Sequence, residues 1–318
     1  MRHGGIFVAP QVPHHKPAEP SDLIHLEYTS HARPDFPPLH AVICNGMVKL
    51  VASDIDGTLL RSDGTVSDRT RRAVAEAEKA GLVFVLVTGR PPRWLAPVRD
   101  QLDHRGVAIC ANGALVMDLH TEQVVQVNAF DTDIARQVLA ALRDVSDGLV
   151  FGVEWADGFG HETAYVKGVR KSELVANAAV RISDDEEFFD RPVVKVLARA
   201  THDVGQELAE QATAATDGMA TVTWSSTGLL EVSAAGVSKA SALERFALTH
   251  GITAADIVAF GDMPNDLAML QWAGRGIAVA NAHPLVLEAA DETTASNDDD
   301  GVARMLETLS TADGPSDG

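Results

Sequence analysis

Short apolar runs alternate with helical spacing over two stretches of the chain. Val48 to Ser53 is a continuous apolar run with β-branched members, Val66 to Ala80 places apolar residues at helical intervals behind Ser67 as a cap, and Leu82 to Val87 is a second buried run. That order predicts a βαβ unit. Pro91 and Pro92 suit the first turn of a further helix, and Val107 to Ala111 reads as the next strand. Toward the C-terminus, Ile257 to Phe260, Pro264 to Trp272 and Gly276 to Ala280 repeat the rhythm of strand, helix and strand. Runs apolar throughout suit strands covered on both faces by crossover helices. The expected fold is therefore α/β, with a doubly wound, mostly parallel sheet.

The middle of the chain follows another period. Glu122 to Ala129, Val193 to Ala198 and Ala220 to Ser225 alternate apolar with polar positions, around helical patterns at Thr132 to Val145 and Val204 to Ala215. Alternation indicates strands with one wet face. Residues 121–228 are thus expected to form an inserted α+β domain, one sheet with helices on one side, between the halves of a core at 47–120 and 229–309. Residues 1–46 hold 7 of the 14 prolines and 6 of the 12 histidines and sustain neither period. They read as an unstructured extension. Because Met47 directly precedes the first strand, this extension is expected to be a dispensable leader or an upstream start-codon assignment. Residues 310–318 read as a disordered tail.

Composition narrows the function classes. The 318 residues carry 26 Lys+Arg against 45 Asp+Glu, a formal charge of -19. That balance repels a phosphate backbone or an anionic lipid surface, so neither nucleic acid nor membrane is an expected partner. No apolar run approaches the ~18 residues of a membrane span. Two cysteines, Cys44 and Cys110, cannot staple a chain of this length and lack the neighbours of a zinc site. A reducing, cytoplasmic setting fits.

The candidate chemistry lies where strands end. Asp54-Ile55-Asp56-Gly57-Thr58-Leu59 directly follows the first run, at the carboxyl edge where open α/β sheets bind ligands. One Asp there is an ordinary cap; two at i and i+2, on a turn that Gly57 permits, can share a site in different roles. Thr88-Gly89-Arg90 ends the second run and offers a hydroxyl and an open backbone N–H to phosphoryl oxygens. Lys239 follows Gly236-Val237-Ser238 and opens a helix, and Gly261-Asp262-Met263-Pro264-Asn265-Asp266 brings two more carboxylates and an amide to the same edge. Such an oxygen-rich set suits Mg²⁺, whereas the loop spacing of a calcium EF-hand is missing. Arg90, Arg93, Asn112 and Gly113 stand near that edge, and Glu154, Trp155, His161 and Glu162 in the insert are candidates for gripping a leaving group.

Together these four motifs resemble those of the haloacid dehalogenase superfamily, specifically its Cof-type class IIB phosphatases, over roughly Met47 to Leu309. The resemblance implies a core with an α+β cap inserted between the second and third motifs. It implies Asp54 as nucleophile, Asp56 as general acid/base and Lys239 as the charge-neutralising group. It places Thr88 and Gly89 as the phosphate cradle, with Ile55 and Asn265 beside the phosphate. For Mg²⁺ it implies Asp54, the Asp56 carbonyl and Asp262, with Asp266 behind them.

The expected function is a Mg²⁺-dependent phosphatase acting on a small phosphorylated metabolite, a sugar phosphate or phosphorylated cofactor, through an aspartyl-phosphate. A phosphomutase or phosphotransferase would use the same nucleophile. A receiver-type phospho-acceptor also clusters acids and a Lys at this edge, but needs neither a leaving-group acid such as Asp56 nor a cap.

Overall fold

The computed structural model describes residues 48–165, 179–200, 206–226 and 228–312. The expected extension at 1–46 lies outside the described residues, as do 313–318 of the expected tail. In chain order the strands are β1 (Leu50–Ser53), β2 (Val83–Val87), β3 (Val107–Cys110), β4 (Leu115–Asp118) and β5 (Gln123–Val127), then β6 (Leu149–Trp155), β7 (Gly158–Glu162), β8 (Ala179–Ile182), β9 (Val193–Ala200), β10 (Ala220–Ser226) and β11 (Leu229–Ala234), and last β12 (Ile257–Gly261), β13 (Arg275–Val279) and β14 (Glu292–Thr294).

They form two sheets. The first has eight strands in the order β14-β13-β12-β1-β2-β3-β4-β5, parallel from β14 to β3 and closed at its far edge by the antiparallel β3, β4 and β5. Every residue of β1 and β12 is buried, which is why those segments read as unbroken apolar runs. Helices Asp68–Lys79, Lys239–Thr249 and Gly301–Ala312 are among those connecting and flanking the strands. The first is started by Ser67, whose hydroxyl accepts from the Thr70 amide at 3.0 Å, and it buries Ala73, Val74 and Ala77.

The second sheet has six strands in the order β10-β11-β9-β6-β7-β8, antiparallel except for the β7/β8 pair. Helices Thr132–Val145 and Gln206–Thr216 supply Val138, Leu142, Leu208 and Ala212 to the core on one of its faces. Helices therefore lie on one side, as the alternating pattern predicts.

Two boundaries differ from the expectation. β5, inside the stretch read as insert, pairs with β4 and belongs to the first sheet. β11, read as core, pairs with β9 and β10 and belongs to the second. Both are antiparallel strands next to a junction between the sheets, β5 at an edge and β11 between β10 and β9, and alternation records only that one face is wet, not which sheet lends its hydrogen bonds. The last helix also runs to Ala312, past the point where a tail was expected to begin. Its final turn continues a helix anchored on the core by Val302, Ala303 and Leu306.

Candidate active site

The ladders of the first sheet run one residue past two strand ends and so fix the first two motifs. The Asp54 amide donates to the Phe260 carbonyl at 3.0 Å, and the Thr88 amide donates to the Ile109 carbonyl at 2.8 Å. Beyond Asp54 the chain makes one wide turn, closed by the Leu60 amide on the Ile55 carbonyl at 2.9 Å. Gly57 sits in it at φ 76°, and a Cβ there would strike the Asp262 carboxylate. The motif glycine thus permits both the turn and the approach of the last motif.

Lys239 joins the pieces. Its helix is capped by reciprocal Ser238 and Ser241 bonds of 3.0 and 3.1 Å, and Gly113 lets the loop after β3 press against the Ser238 carbonyl. The Lys239 ammonium, 1% exposed, donates to Asp54 Oδ1 and Asp266 Oδ1, both at 2.6 Å. Asp262 accepts from the Thr58 hydroxyl at 2.7 Å. The other oxygen of Asp266 accepts from the Asp262 and Met263 amides at 3.1 and 3.0 Å.

Asp54, Asp262 and Asp266 bring one oxygen each within 4.8 Å of one another, a grouping able to hold a metal ion. Three buried carboxylates face one ammonium. Burial holds the Asp54 carboxyl well above its usual range, against the pull of Lys239 and with Asp266 and Asp262 adding to the rise. Burial, then the charge of Asp266, pushes Asp262 up to about 6. Burial works to lower the Lys239 pKa, but Asp266 and Asp54 outweigh it and raise it. A hard divalent cation is what such an excess of buried oxygen charge fits.

Asp56 turns elsewhere. Its carboxylate, about half exposed at 56%, lies outside that grouping and accepts from Arg90 Nε at 2.7 Å and from Arg90 Nη2. Thr88 is buried and its hydroxyl accepts from the Arg90 amide at 3.1 Å. The Ile55 side chain lies in the core. Asn265 Nδ2 donates to Asn112 Oδ1 at 3.1 Å, which puts Asn112 in the site as well as in the turn between β3 and β4.

A cavity of about 290 Å³ opens over these groups, lined on one side by Asp54, Asp56, Gly89, Arg90 and Asn265 and on the other by the second sheet. On β9 the lining residues are Lys195, Leu197 and Arg199, alternate positions of one strand. The wet face read from the sequence is thus the roof of the cavity. Lys195, 2% exposed, donates to the Gly89 carbonyl at 2.8 Å and to Glu231 Oε1 at 2.7 Å, and Ser225 donates to the other Glu231 oxygen at 2.6 Å. Burial would raise Glu231, but Lys195 and these hydrogen bonds bring it below its ordinary value.

Of the four insert candidates, only Glu154 lines the cavity, paired with Arg93 through bonds of 2.7 and 2.9 Å. Trp155 points to the helix side and donates to the Phe188 carbonyl at 2.9 Å. Glu162 pairs with Arg143 at 2.6 Å, and His161 stacks on Phe159. Neighbours in a strand face opposite ways, so Glu154 and Trp155 could not both reach the site. Sequence reasoning misses Lys195, Arg199 and Glu231; their one signal is an isolated charge within a mostly apolar strand.

The chain belongs to the haloacid dehalogenase-like hydrolases, whose family model matches residues 51–306. It is an enzyme of the phosphatase kind within that family. It is 32% identical over 275 residues to 5-amino-6-(5-phospho-D-ribitylamino)uracil phosphatase YcsE of Bacillus subtilis, covering 81% of this chain and 94% of that protein. It is 27% identical over 280 residues to pyridoxal phosphate phosphatase YbhA of Escherichia coli, covering 81% of this chain and 97% of the relative. Its fold is shared with the HAD subclass IIB sugar phosphatase BT4131, at a TM-score of 0.70 and 24% identity over 82% of this chain and 99% of the other. No helix among the described residues is long and apolar enough to cross a membrane.

Proposed function

We propose that this enzyme hydrolyses the phosphate monoester of a small metabolite, with Mg²⁺, through an aspartyl-phosphate on Asp54. The observation that carries the reading is the bridge of Lys239 between Asp54 and Asp266, beneath a cavity that Asp56 also lines. A cavity of about 290 Å³ suits a small molecule rather than a polymer. Two relatives named for phosphorylated small molecules support the substrate class.

An Asp54 carboxylate oxygen attacks phosphorus and the ester P–O bond breaks, leaving the phosphoryl group on Asp54. Asp56, turned from Arg90, gives its proton to the departing alkoxide oxygen. Asp56 then takes a proton from water, whose oxygen attacks phosphorus and frees Asp54 and inorganic phosphate. Lys239 keeps the attacking carboxylate in place and balances charge, while Thr88, Gly89 and Asn265 receive the phosphoryl oxygens. Mg²⁺, held by Asp54, Asp262 and the Asp56 carbonyl with Asp266 behind, would supply positive charge against the phosphoryl group.

Release of inorganic phosphate from a panel of phosphorylated metabolites, with and without Mg²⁺, tests this reading. Release that needs Mg²⁺ and is lost in Asp54→Asn supports it, and release unaffected by that substitution overturns it.

A further inference from the structure

The roof of the cavity has a charge balance of its own. Glu154 is matched by Arg93 and Glu231 by Lys195, so both carboxylates there are already engaged. Arg199 is different. Among the described residues it makes no ion pair with a carboxylate, and its Nε is buried without a hydrogen-bond partner, although the guanidinium also bonds the Tyr165 side chain. Its guanidinium carbon lies 4.8 Å from the centroid of the Tyr165 ring, and that ring lies 5.5 Å from Phe159. Leu197 and Leu229 extend the apolar surface between them.

Such a wall discriminates between kinds of leaving group. A polyol needs several donors and acceptors to replace the water it loses, and the carboxylates that could serve it are occupied by Arg93 and Lys195. A flat ring needs apolar and aromatic faces, which Phe159, Tyr165 and the two leucines offer. One oxygen on such a ring would meet a guanidinium that no carboxylate neutralises, a planar donor already held in place by the Tyr165 side chain.

We propose that this wall is a subsite for a planar ring that carries a carbonyl or ionised oxygen, with Arg199 donating to that oxygen and Tyr165 and Phe159 flanking the ring. The inference rests on the phosphatase reading above and narrows its substrate class. Arg199 is then a specificity-determining residue, far enough along β9 from Lys195 to touch the leaving group and not the phosphoryl end.

The test is steady-state kinetics of the full chain on pyridoxine phosphate, ribose phosphate and glycerol phosphate. The wild type is expected to favour the pyridine ester over both others by at least about tenfold in kcat/KM. Arg199→Met should lower that preference by about tenfold or more, chiefly through KM for the ring substrate, and Arg199→Lys should fall between. Tyr165→Leu, which removes the face and keeps the charge, should also lower the preference and serves if the first variant does not fold. A wild type that favours the polyol esters, or variants whose preference is unchanged, would overturn the subsite while Mg²⁺-dependent, Asp54-dependent release leaves the phosphatase reading standing. Hydrolysis that survives Asp54→Asn on all three esters would remove that reading, and this inference with it.

Discussion

Lys195, in the second sheet, donates to the backbone carbonyl of Gly89, in the turn that follows β2 of the first, at 2.8 Å, and the same ammonium is paired with Glu231 at 2.7 Å. The turn expected to receive the phosphoryl group is therefore held in part by a side chain from the other sheet. Both members of the pair are almost fully buried.

Lys195→Met leaves the Glu231 carboxylate buried without its cation, and such a loss costs about 3–5 kcal/mol. The double variant Lys195→Met, Glu231→Gln should recover most of that stability, because no unmatched charge remains. Activity should stay low in the double variant, since the Gly89 carbonyl has still lost its donor. Chemical denaturation and turnover, measured on the same three proteins, check this; activity that recovers together with stability would show the pair to be structural only.

Asp54→Asn should lower turnover by about a thousandfold or more, because the attacking oxygen becomes an amide. Its melting temperature should hold or rise, since three buried carboxylates against one ammonium become two. A variant that is inactive and also clearly less stable would mean that the Lys239 bridge, rather than the nucleophile, was what the substitution removed.

Mg²⁺ should raise the melting temperature of the wild type by mass action, as any ligand of the folded state does. Asp262→Ala should remove that rise, having lost one of the carboxylates that would hold the ion. Calorimetry at saturating Mg²⁺ reads this without reference to activity, and an unchanged rise would exclude Asp262 as a ligand.

Excision of the second sheet should succeed only at the boundaries drawn by strand pairing. Joining residues 128 and 236 keeps β5 on β4 and removes β11 with its partners. Joining 120 and 229 strips β5 from the edge of the first sheet and leaves β11 without neighbours, exposing two open edges. The first variant should stay in solution and the second aggregate, which size-exclusion chromatography will show.

Asp256 predicts a pH dependence away from the site. The Thr253 hydroxyl and amide, at 2.7 and 3.0 Å, and Lys49 hold its carboxyl down to about 2. A depressed carboxylate contributes stability above its unfolded pKa, near ~4, and loses it as pH falls toward the folded value. The wild type should therefore melt above Asp256→Asn at pH 7, and the gap should narrow below about pH 4. A gap that widened on acidification would contradict the assignment.

The order of strands and helices, the parallel sheet and the four motifs at its edge were legible because each is written locally. A strand buried on both faces shows as an unbroken apolar run, and Asp54, Asp56, Thr88, Lys239 and Asp262 each stand where a run ends or a helix begins. Sheet membership was not legible for β5 and β11, because hydrogen-bond partners distant in the chain leave no periodicity. Nor was the destination of a polar face. The alternation at Val193 to Ala198 announced one wet side, but only the seating of the second sheet over the first turns that side into the roof of a cavity and brings Lys195 to Gly89. The family resemblance sets Asp266 behind the metal ligands; that it shares the Lys239 ammonium with Asp54 depends on contacts across 27 and 185 positions of the chain, which tertiary packing alone creates.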